Sequence, residues 1–296
     1  MSVLTARYTP IDLECTMSYP STAIVNTPKI IYGTAWKKAE TAHWVQTAIR
    51  QGFRGIDTAC QPKHYDEAGV GAGLAASLSN ELTRADLYLQ TKFTSVSGQD
   101  PMRIPYDPAA PLASQVAQSF AASLRNLKTD YLDCLVLHSP LENEQETLLV
   151  WRAMESLVAD GGVRQLGISN CYDLDELKRL HESAQVKPAV LQNRFYADTG
   201  YDREIRAFCE KRRIIYQSFW TLSANPQVLA HRVVGGLASK YRRTPAQILF
   251  RYLTQRGVVP LTGTRSPDHM REDLGIFEFE LADSERDAVD AILAMA

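Results

Sequence analysis

The chain has 296 residues, 45% of them hydrophobic, with 32 basic and 34 acidic side chains and a net charge of −2. That is enough apolar material for a sizeable core, and the length suits an α/β barrel of about 250 residues folded as one domain. The balanced charge provides no field to draw nucleic acid or an anionic membrane, and no apolar run reaches the ~18–20 residues of a bilayer-spanning helix.

Five cysteines (Cys15, Cys60, Cys134, Cys171, Cys209) are scattered, and none forms a C-x-x-C pair. This spacing points to free thiols in a reducing cytoplasm, with no disulfide frame and no metal site. Residues 1–27 are polar and irregular, and Met1–Met17 lack the apolar stretch expected of a signal peptide. They are expected to form an N-terminal extension packed on or near a single domain that spans 28–296.

From Pro28 the pattern alternates. Pro28–Gly33 reads as a strand, followed by a helix over Glu40–Gln51 that Gly52 terminates. Next come strand Gly55–Asp57, a polar loop containing Pro62, helix Val70–Ser79 and strand Leu87–Thr91. The long Gln99–Pro111 loop leads to helix Leu112–Leu127 and strand Leu132–Leu137. Helix Thr147–Ala159, strand Val163–Ile168, helix Leu174–Ser183 and strand Ala189–Leu191 follow. Helix Asp202–Lys211, strand Ile214–Tyr216, helices Val228–Tyr241 and Pro245–Thr254, and strand Val258–Leu261 come next. A short helix opening at Pro267 and a last one over Ser284–Ala294 complete the pattern. About eight strand–helix units predict a parallel (β/α)₈ TIM barrel. An open doubly wound sheet is the alternative, but no G-x-G-x-x-G follows the first strand.

Polar residues fall just after apolar strands: Asp57, Lys92, His138, Ser169 with Asn170, Gln192, Gln217 with Ser218, and Thr262. In a closed barrel these strand ends share one face, where barrel enzymes keep their chemistry. Lys92 leaves a nearly buried strand, so its ammonium needs a partner, and Asp57, one strand away, is the available carboxylate. A tyrosine beside that ammonium is expected to have a lowered pKa and to serve as a general acid. His138 is placed to orient a carbonyl or to relay a proton.

These residues resemble the aldo-keto reductase superfamily from about Pro28 to the C-terminus. Gly55-Ile-Asp57-Thr-Ala is similar to its aspartate motif, Thr91-Lys92 to its lysine motif and Asp130–Pro140 to its histidine motif. The resemblance implies a barrel that reduces small-molecule carbonyls with NADPH through an Asp, a Tyr, a Lys and a His, with NADH as a possible substitute. It implies cofactor contacts at Gly33, Thr34, Asp57, Ser169, Asn170, Gln192, Gln217, Ser218, Thr262, Gly263 and Thr264. A monomer with no nucleic-acid or membrane partner is expected.

Three places depart from the family pattern. Pro62 occupies the usual tyrosine spacing, so the donor is either Tyr65 or His64; Tyr65 is favoured because a lysine helps a phenol more than an imidazole. Gly263 replaces a common phosphate-binding lysine, which leaves Arg265 and the helix started by Pro267 for the anion. His269 stands where relatives often carry an arginine, and Glu272 and Asp273 occupy the adenine-contact positions. Gln217 replaces a stacking aromatic, and Trp36, His64 and Trp220 are expected to line the substrate pocket. The alternatives are a biosynthetic redox enzyme acting on a C=N or other bond, and a non-catalytic cofactor-binding subunit.

Overall fold

A computed structural model of the chain describes residues 25–295. The expected N-terminal extension lies outside these described residues except at 25–27, where Val25 packs beneath the barrel and Thr27 Oγ1 accepts a hydrogen bond from Gln165.

The strands are β1 (Ile31–Gly33), β2 (Gly55–Asp57), β3 (Tyr88–Phe93), β4 (Cys134–Leu137), β5 (Leu166–Ser169), β6 (Val190–Arg194), β7 (Ile215–Phe219) and β8 (Val259–Thr262). Every neighbouring pair is parallel, and β8 returns to β1, so the sheet closes in chain order. This is the expected (β/α)₈ barrel. The helices are α1 (Thr41–Gln51), α2 (Glu67–Ala75), α3 (Leu112–Leu127), α4 (Glu144–Ala159), α5 (Leu174–Ser183), α6 (Arg203–Arg212), α7 (Pro226–Leu229), α8 (Arg232–Tyr241), α9 (Pro245–Gln255), α10 (Pro267–Leu274) and α11 (Asp283–Met295).

Side chains alternate along a strand, so every second residue faces the barrel axis. An apolar cluster fills part of the barrel interior, with Ile31, Tyr88, Cys134, Val136 and Val190 packed against Ile215, Val259 and Leu261. Beside it Asp57, Gln90, Gln192 and Gln217 form a polar layer and reach one another across the axis. The outward faces of the strands pack on the helices in the main core.

Two helical expectations shift. The second helix starts at Glu67, three residues earlier than the apolar pattern indicates, because the Asp66 side chain accepts from Gly69 N and caps it. The stretch read as one helix over Val228–Tyr241 divides at His231, whose ring accepts from Val233 N to start α8. Glycine sets how closely α2 packs: a Cβ on Gly71 would lie 2.0 Å from the Asn126 carbonyl oxygen in the last turn of α3. Glu67 ties the same helix down, accepting from Thr91 Oγ1 at 2.6 Å and from Ser123 Oγ at 2.8 Å.

Candidate active site

Asp57 ends β2 with its carboxylate turned inward. Lys92 Nζ donates to both of its oxygens at 2.7 Å and to the Thr58 carbonyl at 2.9 Å. Oδ1 also accepts from Gln90 Nε2 at 2.7 Å and Gln192 Nε2 at 3.0 Å. A buried ion pair is tolerable only when its remaining valences are filled, and here four donor contacts fill them. Lys92 belongs to β3 itself, whose side chains at 88, 90 and 92 share the inward face. The Gln90 and Gln217 amides exchange hydrogen bonds at 2.8 and 3.0 Å, so the layer beneath the ion pair is braced from wall to wall.

The loop after β2 folds through a turn in which Gln61 O accepts from both His64 N and Tyr65 N. The turn sends its two side chains in different directions. The His64 ring lies on Trp36 at 4.0 Å, on the rim. The Tyr65 ring lies 5.3 Å from Lys92 Nζ and 6.1 Å from the His138 ring, edge to face. Tyr65, Lys92, Asp57 and His138 are therefore brought together, and His64 stands outside that group.

Burial, reinforced by the Asp57 carboxylate, raises the Tyr65 pKa. This corrects the expected lowering: Lys92 spends its charge on Asp57, and its ammonium lies over the phenol ring. The phenol is thus protonated at neutral pH. Burial, with Lys92 and His64 nearby, lowers His138 to about 3, so its imidazole is neutral. Its Nδ1 pairs with Thr94 Oγ1 at 2.6 Å, which fixes the ring and leaves Nε2 for a substrate oxygen. Cys60 and Cys134 are pushed by burial up to about 12, which makes them packing thiols rather than nucleophiles.

A cavity of about 1020 Å³ opens over this group and runs between β1 and β8 towards α10. Gly33, Asp57, Ser169, Asn170 and Gln192 line its floor, with Trp36, His64, Tyr65, His138 and Trp220 on its walls. Its far end is formed by Thr262, Gly263, Thr264, Arg265, His269, Glu272 and Asp273. Thr262 Oγ1 donates to Asp273 at 2.7 Å, and burial raises that carboxyl to about 6.

Three of the residues expected to touch a cofactor do not line the cavity. Thr34 is buried and donates its hydroxyl to Asp57 O. Gln217 is drawn down into the amide layer, because it is the partner that Gln90 and Gln192 reach across the barrel. Ser218 takes the opposite face of β7 and accepts from Thr221 Oγ1.

Lys37, Gln90, Thr94 and Arg194 were not singled out from the sequence. Lys37 is buried and donates to the carbonyl oxygen of Gly263. Its ammonium lies 3.5 Å from where a Cβ on Gly263 would stand. Burial and the adjacent Arg265 lower Lys37 to about 8. Arg265 meets the Trp36 carbonyl and, at 3.6 Å, Glu40. Two cations held beside one another form a receptor for a phosphate. With Ser266 capping α10 at His269 N, this end of the cavity fits the phosphates of a dinucleotide. The hydroxyl and amide groups of Ser169, Asn170 and Gln192 fit its carboxamide. Among the described residues no cluster of His, Cys, Asp or Glu could hold a metal ion, and no helix is long and apolar enough to cross a membrane.

The profile of the Aldo/keto reductase family matches residues 29–294. The chain is 31% identical over 254 residues to the glyoxal reductase of Bacillus subtilis, covering 86% of this chain and 83% of that protein. It is 27% identical to the methylglyoxal reductase DkgA of Yersinia pestis, covering 83% and 81%. Among solved structures, the aldo-keto reductase AKR2E4 of Bombyx mori in complex with NADP superposes with a TM-score of 0.76 at 25% identity, covering 90% and 89%.

Proposed function

Since the chain belongs to the Aldo/keto reductase family and is an oxidoreductase, we propose that it reduces the carbonyl group of a small aldehyde or ketone to an alcohol with NADPH. The observation that carries this is the Lys92–Asp57 pair at 2.7 Å beneath the Tyr65 ring, with the neutral His138 at its edge. When bound, the reduced cofactor supplies the hydride.

This chain's residues do the rest. Ser169, Asn170 and Gln192 orient the carboxamide, and Lys37 and Arg265 hold phosphate. His138 Nε2 and the Tyr65 hydroxyl receive the carbonyl oxygen. Tyr65 donates its proton as that oxygen gains negative charge, and an alkoxide is basic enough to take it from a phenol whose own pKa is raised. Lys92 then faces the phenolate that remains, while Asp57 and the amides below it keep the ammonium in place. Lys37 supports NADPH over NADH, because it brings a cation from the β1 side to the place that Gly263 leaves open.

The test is cofactor oxidation by the purified protein with NADPH and NADH, across aldehydes, ketones and cyclic imines. Turnover of aldehydes with NADPH is expected. Turnover of imines alone, or of nothing, contradicts the proposal.

A further inference from the structure

Resting on that function, we propose that the substrate carries a carboxylate, and that Arg194 receives it. Gln192 and Arg194 share one face of β6, because they are two residues apart. Gln192 points to the barrel axis and donates to Asp57, so Arg194 rises directly above it in the cavity wall. The β6–β7 register sets Arg194 opposite Phe219, which also lines the cavity.

The guanidinium is held but not neutralised. It stacks on the Trp220 ring at 4.1 Å and lies 5.1 Å from the Tyr196 ring. Among the described residues its side chain makes no hydrogen bond and no ion pair, and its Nε is buried without a partner. Stacking restricts the side chain and leaves the in-plane N–H fork free, the geometry that binds a carboxylate in two parallel bonds. Trp220 is itself held at φ 55, in the left-handed region that a bulky residue rarely adopts, with half its surface exposed. The indole lies against the guanidinium and lines the cavity.

The position of Arg194 indicates which anion it serves. Lys37 and Arg265 gather at the β1–β8 end, where they fit phosphate. Arg194 stands over Gln192, at the end that holds Lys92 and His138. The nicotinamide ring, whose carboxamide Gln192 fits, carries no anion for it, whereas a substrate beside Tyr65 can bring one.

The proposal is tested with the wild type, Arg194→Met and Arg194→Lys, using 4-carboxybenzaldehyde and its uncharged methyl ester as substrates. Direct binding of benzoate and of neutral benzamide is measured by calorimetry. The wild type is expected to prefer the acid, and Arg194→Met to lose about 10-fold or more in kcat/KM for it, mainly through KM. The ester rate and the NADPH affinity should hold, Arg194→Lys should recover part of the loss, and benzoate binding should weaken in parallel. Equal loss for acid and ester together with weaker NADPH binding would assign Arg194 to the cofactor's diphosphate and overturn the proposal. So would benzoate and benzamide binding alike. Absence of turnover with either aldehyde, with benzoate still bound through Arg194, would instead count against the reductase function alone.

Discussion

The two ends of the cavity are built differently. At the Tyr65 end Asp57 and Lys92 ride on strands and His138 directly follows one, and these groups are packed inside with their partners in place: Asp57 and Lys92 bond to each other, and His138 bonds to Thr94. At the Arg265 end the cations come from loops and face each other, with only Glu40, at 3.6 Å, as an acidic partner among the described residues. The first end is preorganised, so charge created during reaction meets dipoles already aimed at it. In the second, Lys37 and Arg265 are left short of acidic partners, so an arriving anion completes them. One end suits chemistry and the other suits binding, and substitutions at the two should separate rate from affinity.

The largest expected effect is at Lys92. Lys92→Met should lower kcat by about 10²–10⁴ with little change in NADPH affinity. It should also lower the melting temperature, because Asp57 keeps two amide donors but loses its counter-charge. Steady-state kinetics and thermal unfolding on the same variant check both. If NADPH affinity collapses together with kcat, the two ends are not separate.

Gly71→Ala should act on stability. Its Cβ would meet the Asn126 carbonyl at 2.0 Å, and backbone cannot step aside cheaply. A loss of about 1–3 kcal/mol in denaturant unfolding is expected. Because α2 anchors the Tyr65 loop, activity should fall before the fold does.

At the binding end, Lys37→Met should weaken NADPH binding about 10-fold and NADH binding much less. Lys37 loses its proton near pH 8, and the charged form is the one that attracts phosphate. Wild-type NADPH affinity should therefore fall as pH rises from 7 to 9, and the variant should show a flatter profile. Fluorescence titrations at several pH values read this directly. The smallest effect is expected at His64, whose ring packs on Trp36: His64→Gln should change kcat no more than a few-fold.

The same contrast explains what was legible in the sequence. Asp57, Lys92 and His138 were readable because they end apolar strands, and a closed barrel sends all such ends to one face. Gln90 and Arg194 escaped notice although the same geometry contains them. Counting two residues back from Lys92, or two on from Gln192, gives the next inward side chain. Gln217 passed the strand-end criterion yet sits below the cavity, because three glutamines on different strands satisfy one another only inside the barrel. Lys37 could not be found by that criterion, since it lies four residues beyond β1 and reaches Gly263 only through the fold. The raised pKa of Tyr65 was likewise hidden, because it depends on how deeply a loop side chain is buried and on which face Lys92 presents to it.

The most direct measurement is single-turnover hydride transfer by Tyr65→Phe, with NADPH bound and the pH varied from 6 to 8. Tyr65 stays protonated and His138 stays neutral across that range, so the wild-type rate should be flat. The variant should be slower by about 10²–10⁴ with its cofactor affinity intact. A variant within a few-fold of wild type, or a wild-type rate that falls with rising pH as an imidazolium donor such as His64 would require, contradicts Tyr65 as the proton source.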